Sequence, residues 1–263
     1  MAVSSRARPF VFLAALLLIA GGGFGYWLES RRAAAEPAGD AQLSGQLARA
    51  GIDGTHRAAV EGVVRQYILD HPEILPEAME RLQARETQAK LAPLRGALET
   101  PFPGAVMGNP QGKVTLVEFT DFSCGYCRGS VADVKALVAA NPDLKVVVRE
   151  LPIIGPQSEP AARMALAAAA QGKYGAFHDA MFAGERPNTE SIAAAAGKAG
   201  LDMNAARSFA ANAGVQAELE RNLGFARQLG VNGTPAWVVN GEMIAGAVGR
   251  ERLQQAVDAA RKG

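Results

Sequence analysis

A chain of 263 residues with 49% apolar side chains can build one sizeable core and an accessory region, but is short for two full domains. Its 27 basic and 26 acidic residues leave a net charge of +1 and its aromatics amount to 6%, which excludes a surface built to neutralise phosphates and, with it, nucleic acid as a partner. Two cysteines exclude a disulfide-stapled scaffold and a four-thiolate zinc module; His56, His71 and His178 lack the spacing of a helical metal pair, so neither a metal nor an organic cofactor is expected.

Arg6 and Arg8 precede a low-polarity stretch of 19 residues, Phe10 to Leu28, close to the length that spans a hydrocarbon core. Ala33-Ala34-Ala35 offers a cleavage site, so residues 1–35 read as a signal peptide or a signal anchor. Phe24, Tyr26 and Trp27 favour the anchor, with the N-terminus inside and the rest outside. The functional part is then periplasmic, attached to the inner membrane, or soluble there after cleavage. Residues 36–54, rich in Ala, Gly, Gln and Pro over most of their length, read as a tether.

From Thr55, an N-cap by residue type, Val60, Val63, Val64, Tyr67 and Ile68 recur at helical spacing. Pro72 suits the first turn of a second helix, on which Ile74, Leu75, Ala78, Met79 and Leu82 share a face. Two such helices cannot bury both stripes alone, so residues 55–100 must dock on the main domain or on another copy of the chain. A packed appendage and a homo-oligomer are both open.

Prolines and glycines at 101–104 and 108–112 punctuate the entry to a main domain, 101–263, with a short edge strand expected at Ala105 to Met107. Val114 to Phe119 reads as a buried strand, Cys124 to Ala140 as a helix with Val131, Val134, Leu137 and Val138 inward, and Leu144 to Val148 as a second buried strand. Together they make a βαβ unit with parallel strands. A helical insertion follows over about 156–229, with Gly172, Gly184, Gly200, Gly214 and Gly230 where helices end. Tyr174, Phe177, Met181, Ile192, Phe209, Val215, Leu219 and Leu223 supply its internal contacts. Ala236 to Val239 and Glu242 to Ala245 form a hairpin through Asn240-Gly241, a type I′ turn, and a helix from Arg250 to Lys262 closes the chain.

The chemistry concentrates in Cys124-Gly125-Tyr126-Cys127, where a strand ends and a helix begins. Unpaired N–H groups at a helix N-terminus favour negative charge on Cys124, which makes it the nucleophile. Cys127, one turn later on the same face, is the resolving thiol. Gly125 permits close backbone approach and Tyr126 adds bulk without positive charge, an arrangement that argues against the most extreme oxidising power. A zinc half-site would need two further ligands, haem attachment would need histidine where Arg128 stands, and a disulfide closing so short a loop would stabilise little.

Thr115-Leu-Val-Glu-Phe119 leading into the cysteine motif, Val147-Val-Arg-Glu-Leu-Pro-Ile153, and Gly233-Thr234-Pro235 before the hairpin together resemble the DsbA family of thioredoxin-like proteins, in its ScsC-like branch, from about residue 55 to the end. The resemblance implies an α/β fold: a thioredoxin fold with a helical insertion, preceded by an N-terminal helical segment. It implies that Pro235 is cis and faces the cysteines, that Thr234 pairs its backbone with an extended substrate, and that Glu118, desolvated in a covered strand, exchanges protons with Cys127. Implied partners are exported proteins with cysteines and a membrane redox partner of unknown identity. Gly-Tyr in place of Pro-His, the added N-terminal helices and Thr234 leave isomerase or reductase beside oxidase. A copper-handling or envelope interaction protein using the same thiols as ligands is the alternative of a different class.

Overall fold

The computed structural model describes residues 45–46, 49–51 and 54–262. The expected signal segment 1–35 lies outside the described residues, and so does most of the 36–54 tether. Among the described residues no helix is long and apolar enough to cross a membrane. The chain divides into two compact units, residues 1–76 and 77–263.

In the first unit α1, Gly54–Asp70, starts ahead of Thr55, which therefore lies in the first turn and is not the cap. Its apolar stripe is in water: Val60, Val63, Val64 and Tyr67 are all more than half exposed, Val63 at 69%. Pro72 sits in a turn before α2, Ile74–Leu91, and Pro76 takes the first-turn place expected of Pro72, where a missing N–H leaves no bond unmade. Leu75, Met79 and Leu82 of α2 are likewise exposed.

The larger unit holds the end of α2, α3 (Arg95–Glu99), β1 (Val106–Gly108), β2 (Val114–Thr120), α4 (Gly125–Ala140) and β3 (Leu144–Glu150). Then come α5 (Ser158–Ala170), α6 (Tyr174–Ala183), α7 (Thr189–Lys198), α8 (Met203–Ala210) and α9 (Ala213–Leu229), followed by β4 (Ala236–Val239), β5 (Glu242–Ala245) and α10 (Gly249–Ala260). The strands form one sheet in the order β1-β3-β2-β4-β5. β2 and β3 run parallel, as a βαβ unit requires, and every other pair is antiparallel. This is the expected fold class, α/β with a helical insertion, α5 to α9, between β3 and β4.

Both central strands are near-continuous apolar runs because both sheet faces are covered. Leu116, Val146, Val148, Trp237 and Val239 meet α4, α5, α6 and α10 on one side. Val117, Phe119, Val147 and Val238 meet Leu91, Leu98, Phe225 and Leu229 on the other. At roughly 1.5–3 kcal/mol for each fully buried large apolar side chain, these two layers supply most of the favourable term in folding. Asn240 and Gly241 both have positive φ, 46° and 80°, the geometry of the type I′ turn expected there.

Several boundaries differ from the sequence reading. β1 is one residue later, and β2 and β3 run on to Thr120 and Glu150, which carries polar side chains into the covered sheet. Gly172, Gly184, Gly200 and Gly230 do follow helices, but Gly214 lies in the first turn of α9, which Asn212 caps. Leu223, expected inside the insertion, is exposed at the surface of α9. The last helix is Gly249–Ala260, ending before Lys262.

Candidate functional site

β2 ends at Thr120, and Asp121 then organises the approach to the cysteines. One carboxylate oxygen accepts the N–H of Ser123, and the other accepts those of Ile153 and Ile154, at 2.8–2.9 Å. A single buried side chain thus fixes two loops against each other. Phe122 anchors the turn in an aromatic cluster with Phe177, His178 and Phe182, and Ser158 donates to the Ser123 hydroxyl at 2.9 Å.

Cys124 is the N-cap of α4, with extended backbone, so the helix starts one residue later than expected and the sulfur faces its open end. The Cys127 N–H donates to the Cys124 sulfur at 3.4 Å. A thiolate there is held by an amide and by the helix dipole together. The Thr234–Pro235 bond is cis, and the Cys124 thiol donates to the Thr234 carbonyl at 3.1 Å. The structure therefore brings together Cys124, Cys127, Thr234 and Pro235, from two distant parts of the chain. Both cysteines are free thiols.

Cys127 is buried one turn below. Burial pushes its thiol up to about 12; the Thr234 hydroxyl, the Asp121 N–H and the Thr120 hydroxyl pull the other way, while the neighbouring Cys124 adds to the rise. Neither threonine hydroxyl closes a hydrogen bond of ordinary geometry, so both can turn towards a thiolate. At neutral pH Cys127 holds its proton and needs a base to lose it.

Glu118 lies deep in β2, level with Val148 of β3 and Trp237 of β4. Burial pushes its carboxyl up to about 8, and one of its oxygens has no hydrogen-bond partner. No other part of the chain closes on Gly125, which is exposed. A Cβ there would meet nothing within 4 Å and φ is not positive, because the residue opens the helix towards solvent. Tyr126 is 73% exposed, its ring free for a partner.

The sequence assigns no site role to Thr120, Asp121, Glu150 or Tyr174. Asp121 had a local signal, an Asp two residues before Ser123 at a strand end, the pattern of an Asx turn. Glu150 and Tyr174 had none: their contact, Tyr174 hydroxyl to Glu150 Oε1 at 2.7 Å, joins a strand end to the helical insertion. Burial pushes Glu150 well above the usual carboxylate range, the Tyr174 bond opposing and Asp121 and Glu118 adding. Among the described residues no group of three or more His, Cys, Asp or Glu side chains could hold a metal ion.

The chain spans less than a third of the curated relatives it matches. One, a Na(+)/H(+) antiporter NhaA of Herminiimonas arsenicoxydans, is 30% identical over 190 residues, which cover 70% of this chain and 30% of the antiporter, so the likeness concerns a segment of that protein. Among solved structures, a thioredoxin-like oxidoreductase from Silicibacter pomeroyi is 43% identical over 60% of this chain and 92% of its own, with a TM-score of 0.58. A linker-deletion variant of Proteus mirabilis ScsC is 25% identical over 80% of this chain and 97% of its own, with a TM-score of 0.63. A periplasmic thioredoxin-like protein from Salmonella enterica serovar Typhimurium is 30% identical over 65% of this chain and 97% of its own, with a TM-score of 0.58. Residues 57–89 match the N-terminal domain of copper resistance protein ScsC, and residues 115–258, more than half of the chain, match the DSBA-like thioredoxin domain. With that domain behind an ScsC-type N-terminal segment, the chain belongs to the DsbA-like thioredoxin family and has the fold of its thiol-disulfide oxidoreductases.

Proposed function

We propose that this protein is a periplasmic thiol-disulfide oxidoreductase that forms, isomerises or reduces disulfides in exported proteins through Cys124 and Cys127. The observation that carries the reading is the Cys124 sulfur, set on the open end of α4 and in contact with the carbonyl before a cis-proline, with a buried second thiol one turn below. In the reducing direction the Cys124 thiolate attacks a substrate disulfide, forms a mixed disulfide and releases one substrate thiolate. Cys127 then gives up its proton, attacks the Cys124 sulfur and releases the second substrate thiolate, leaving the Cys124–Cys127 disulfide. The reverse sequence oxidises a substrate. If a substrate thiol attacks before Cys127 does, the disulfide is isomerised and the enzyme is returned unchanged.

In this reading Thr234 and Pro235 hold an extended substrate segment, Gly125 and Tyr126 tune and shape the entrance, and Glu118 assists the proton of Cys127. A membrane redox partner returns the cysteine pair to its working state. The periplasmic place rests on the expected export segment and on the likeness to a periplasmic thioredoxin-like protein. Residues 55–100 serve assembly into a homo-oligomer, for which the exposed stripe of α1 is the support.

A Cys127→Ser variant cannot resolve and should accumulate mixed disulfides with envelope proteins, seen as bands on a non-reducing gel that disappear with dithiothreitol. No trapped species, together with tight binding of Cu(I) by the unaltered protein, would replace the exchange reading with the thiol-ligand one.

A further inference from the structure

The sheet face whose Thr120 hydroxyl turns to Cys127, the thiol that needs a base, carries two carboxyl groups. β2 and β3 are parallel and in register, Glu118 opposite Val148 and Thr120 opposite Glu150, so Glu118, Thr120 and Glu150 project from the same sheet face. With strands about 4.8 Å apart and about 3.3 Å of rise per residue, the Cα atoms of Glu118 and Glu150 stand diagonally about 8 Å apart, within reach of two glutamate side chains. Thr120 completes the triangle, and its hydroxyl is one of the groups that face the Cys127 sulfur. Each glutamate is at least 97% buried, and each has one carboxylate oxygen, Oε2, without a partner.

Among the described residues, the surroundings hold no cation paired with either carboxyl. From β4 comes Trp237, from α5 the buried Ala161, Ala162 and Ala165, and from α10 Leu253, Ala256 and Val257. α6 contributes Tyr174, bonded to Glu150, and His178, whose ring packs on Tyr174; α4 contributes the two cysteines, and the loop after β2 contributes Asp121, whose oxygens are taken by three N–H groups. Asn222 of α9 donates to the Glu150 backbone carbonyl, not to its carboxyl, and accepts from Arg149, which, next to Glu150 in β3, points to the opposite face and is held there by Glu218. Two carboxyls so placed cannot both ionise freely, and protons leave such a pair as from a unit.

Resting on the exchange reading above, we propose that Glu118 and Glu150 form a coupled carboxyl pair, oriented by the Tyr174 hydroxyl, that takes the proton of Cys127 by way of Thr120 during resolution of the mixed disulfide. In the step, Cys127–SH and one carboxylate of the pair become Cys127–S⁻ and a carboxylic acid. The thiolate then attacks the Cys124 sulfur, the Cys124–substrate bond breaks, and the substrate leaves as a thiolate. Tyr174 is a positioning residue in this scheme, whereas either carboxyl of the pair can receive the proton. The burial that raises both carboxyls makes whichever of them is ionised a stronger base towards the thiol than an ordinary carboxylate.

The test is the rate at which the full-length protein resolves a preformed mixed disulfide between Cys124 and a cysteine peptide, measured by acid quench and alkylation from pH 5 to pH 10. The variants are Glu118→Gln, Glu150→Gln, the double variant and Tyr174→Phe; the amides keep the side-chain shape and an acceptor for Tyr174. A coupled pair predicts that either single amide slows resolution by less than about 10-fold and keeps an acid limb, whereas the double variant loses the limb and more than about 100-fold in rate, the scale of a lost general base. Tyr174→Phe should displace the limb without removing it. Should Glu118→Gln abolish the limb alone while Glu150→Gln and Tyr174→Phe match the parent, Glu118 acts singly and the pair is refuted. Failure of Cys127→Ser to trap any partner would instead bring down the exchange reading, and the pair with it. Carboxyl ¹³C titration of glutamate-labelled protein gives a readout independent of turnover: two coupled steps in the parent and one in each single variant, or, against the proposal, an unchanged Glu118 step in Glu150→Gln.

Discussion

Glu118 ties the chemistry to stability. Its carboxyl keeps its proton up to about pH 8 in the folded protein, against an ordinary value of 4.5, so between those limits the folded state binds more protons than the unfolded. Stability therefore falls as pH rises from 4.5 to 8, and is level outside that window as far as this group is concerned. Glu118→Gln removes the effect. Its melting curve should match the parent below pH 4.5 and gain about 2–4 kcal/mol above pH 8. An equal shift at pH 4 and pH 8.5 would show that the gain comes from packing and not from the buried charge. The family motif was enough to single out Glu118 in the sequence, but the partners around it were not legible. Thr120 and Glu150 reach the site only because β2 and β3 are longer than their apolar cores, and Tyr174 because α6 folds back over the sheet end.

At the level of elements, periodicity carried most of the reading. β4, β5 and their turn stand where alternation and Asn240-Gly241 put them, because a hairpin is fixed by neighbours in sequence. Helix ends were less legible: Gly214 reads as a stop, yet Asn212 just before it accepts the Gly214 N–H and starts α9. The start of α4 at a strand end was legible from the break in the apolar run, whereas Thr234, 110 residues away from Cys124, and Pro235 after it came only through the family pattern. The apolar stripe of α1 was legible too, and its exposure bears on assembly. Replacing Val63 and Tyr67 with glutamate should lower the mass of the protein in sedimentation while leaving the reactivity of its cysteines alone; an unchanged mass would remove α1 from the assembly.

Across the whole molecule, the least legible feature is Arg149, a charge in the middle of a buried strand. It donates to the carbonyls of Ala97, Leu98 and Thr100 and to the carboxylate of Glu218, and its ring-side neighbour is Phe225. None of these partners lies within 45 residues, so no local pattern announces them. Burial lowers the guanidinium to about 10, still charged at any working pH. Arg149→Ala would leave Glu218 buried with only the exposed Arg221 to balance it, and should cost about 3–5 kcal/mol in denaturant unfolding. A loss under 1 kcal/mol would mean that water replaces the guanidinium. The same contacts redraw where the N-terminal region can be cut: Leu91 and Leu98 belong to the core and residues 97–100 to Arg149, so deletion through residue 100 would unfold the larger unit and report nothing about assembly.

That grip has a mechanical meaning. A guanidinium holding three carbonyls over four residues works like the collar where a cable enters an instrument. A pull on the chain ahead of Ala97 bears on β3, an inner strand beside the edge strand β1, before it can reach β1 itself. Tension along the leading part of the chain thereby enters the sheet beside Glu150, close to Ile153 and Ile154, which Asp121 ties to the cysteine turn.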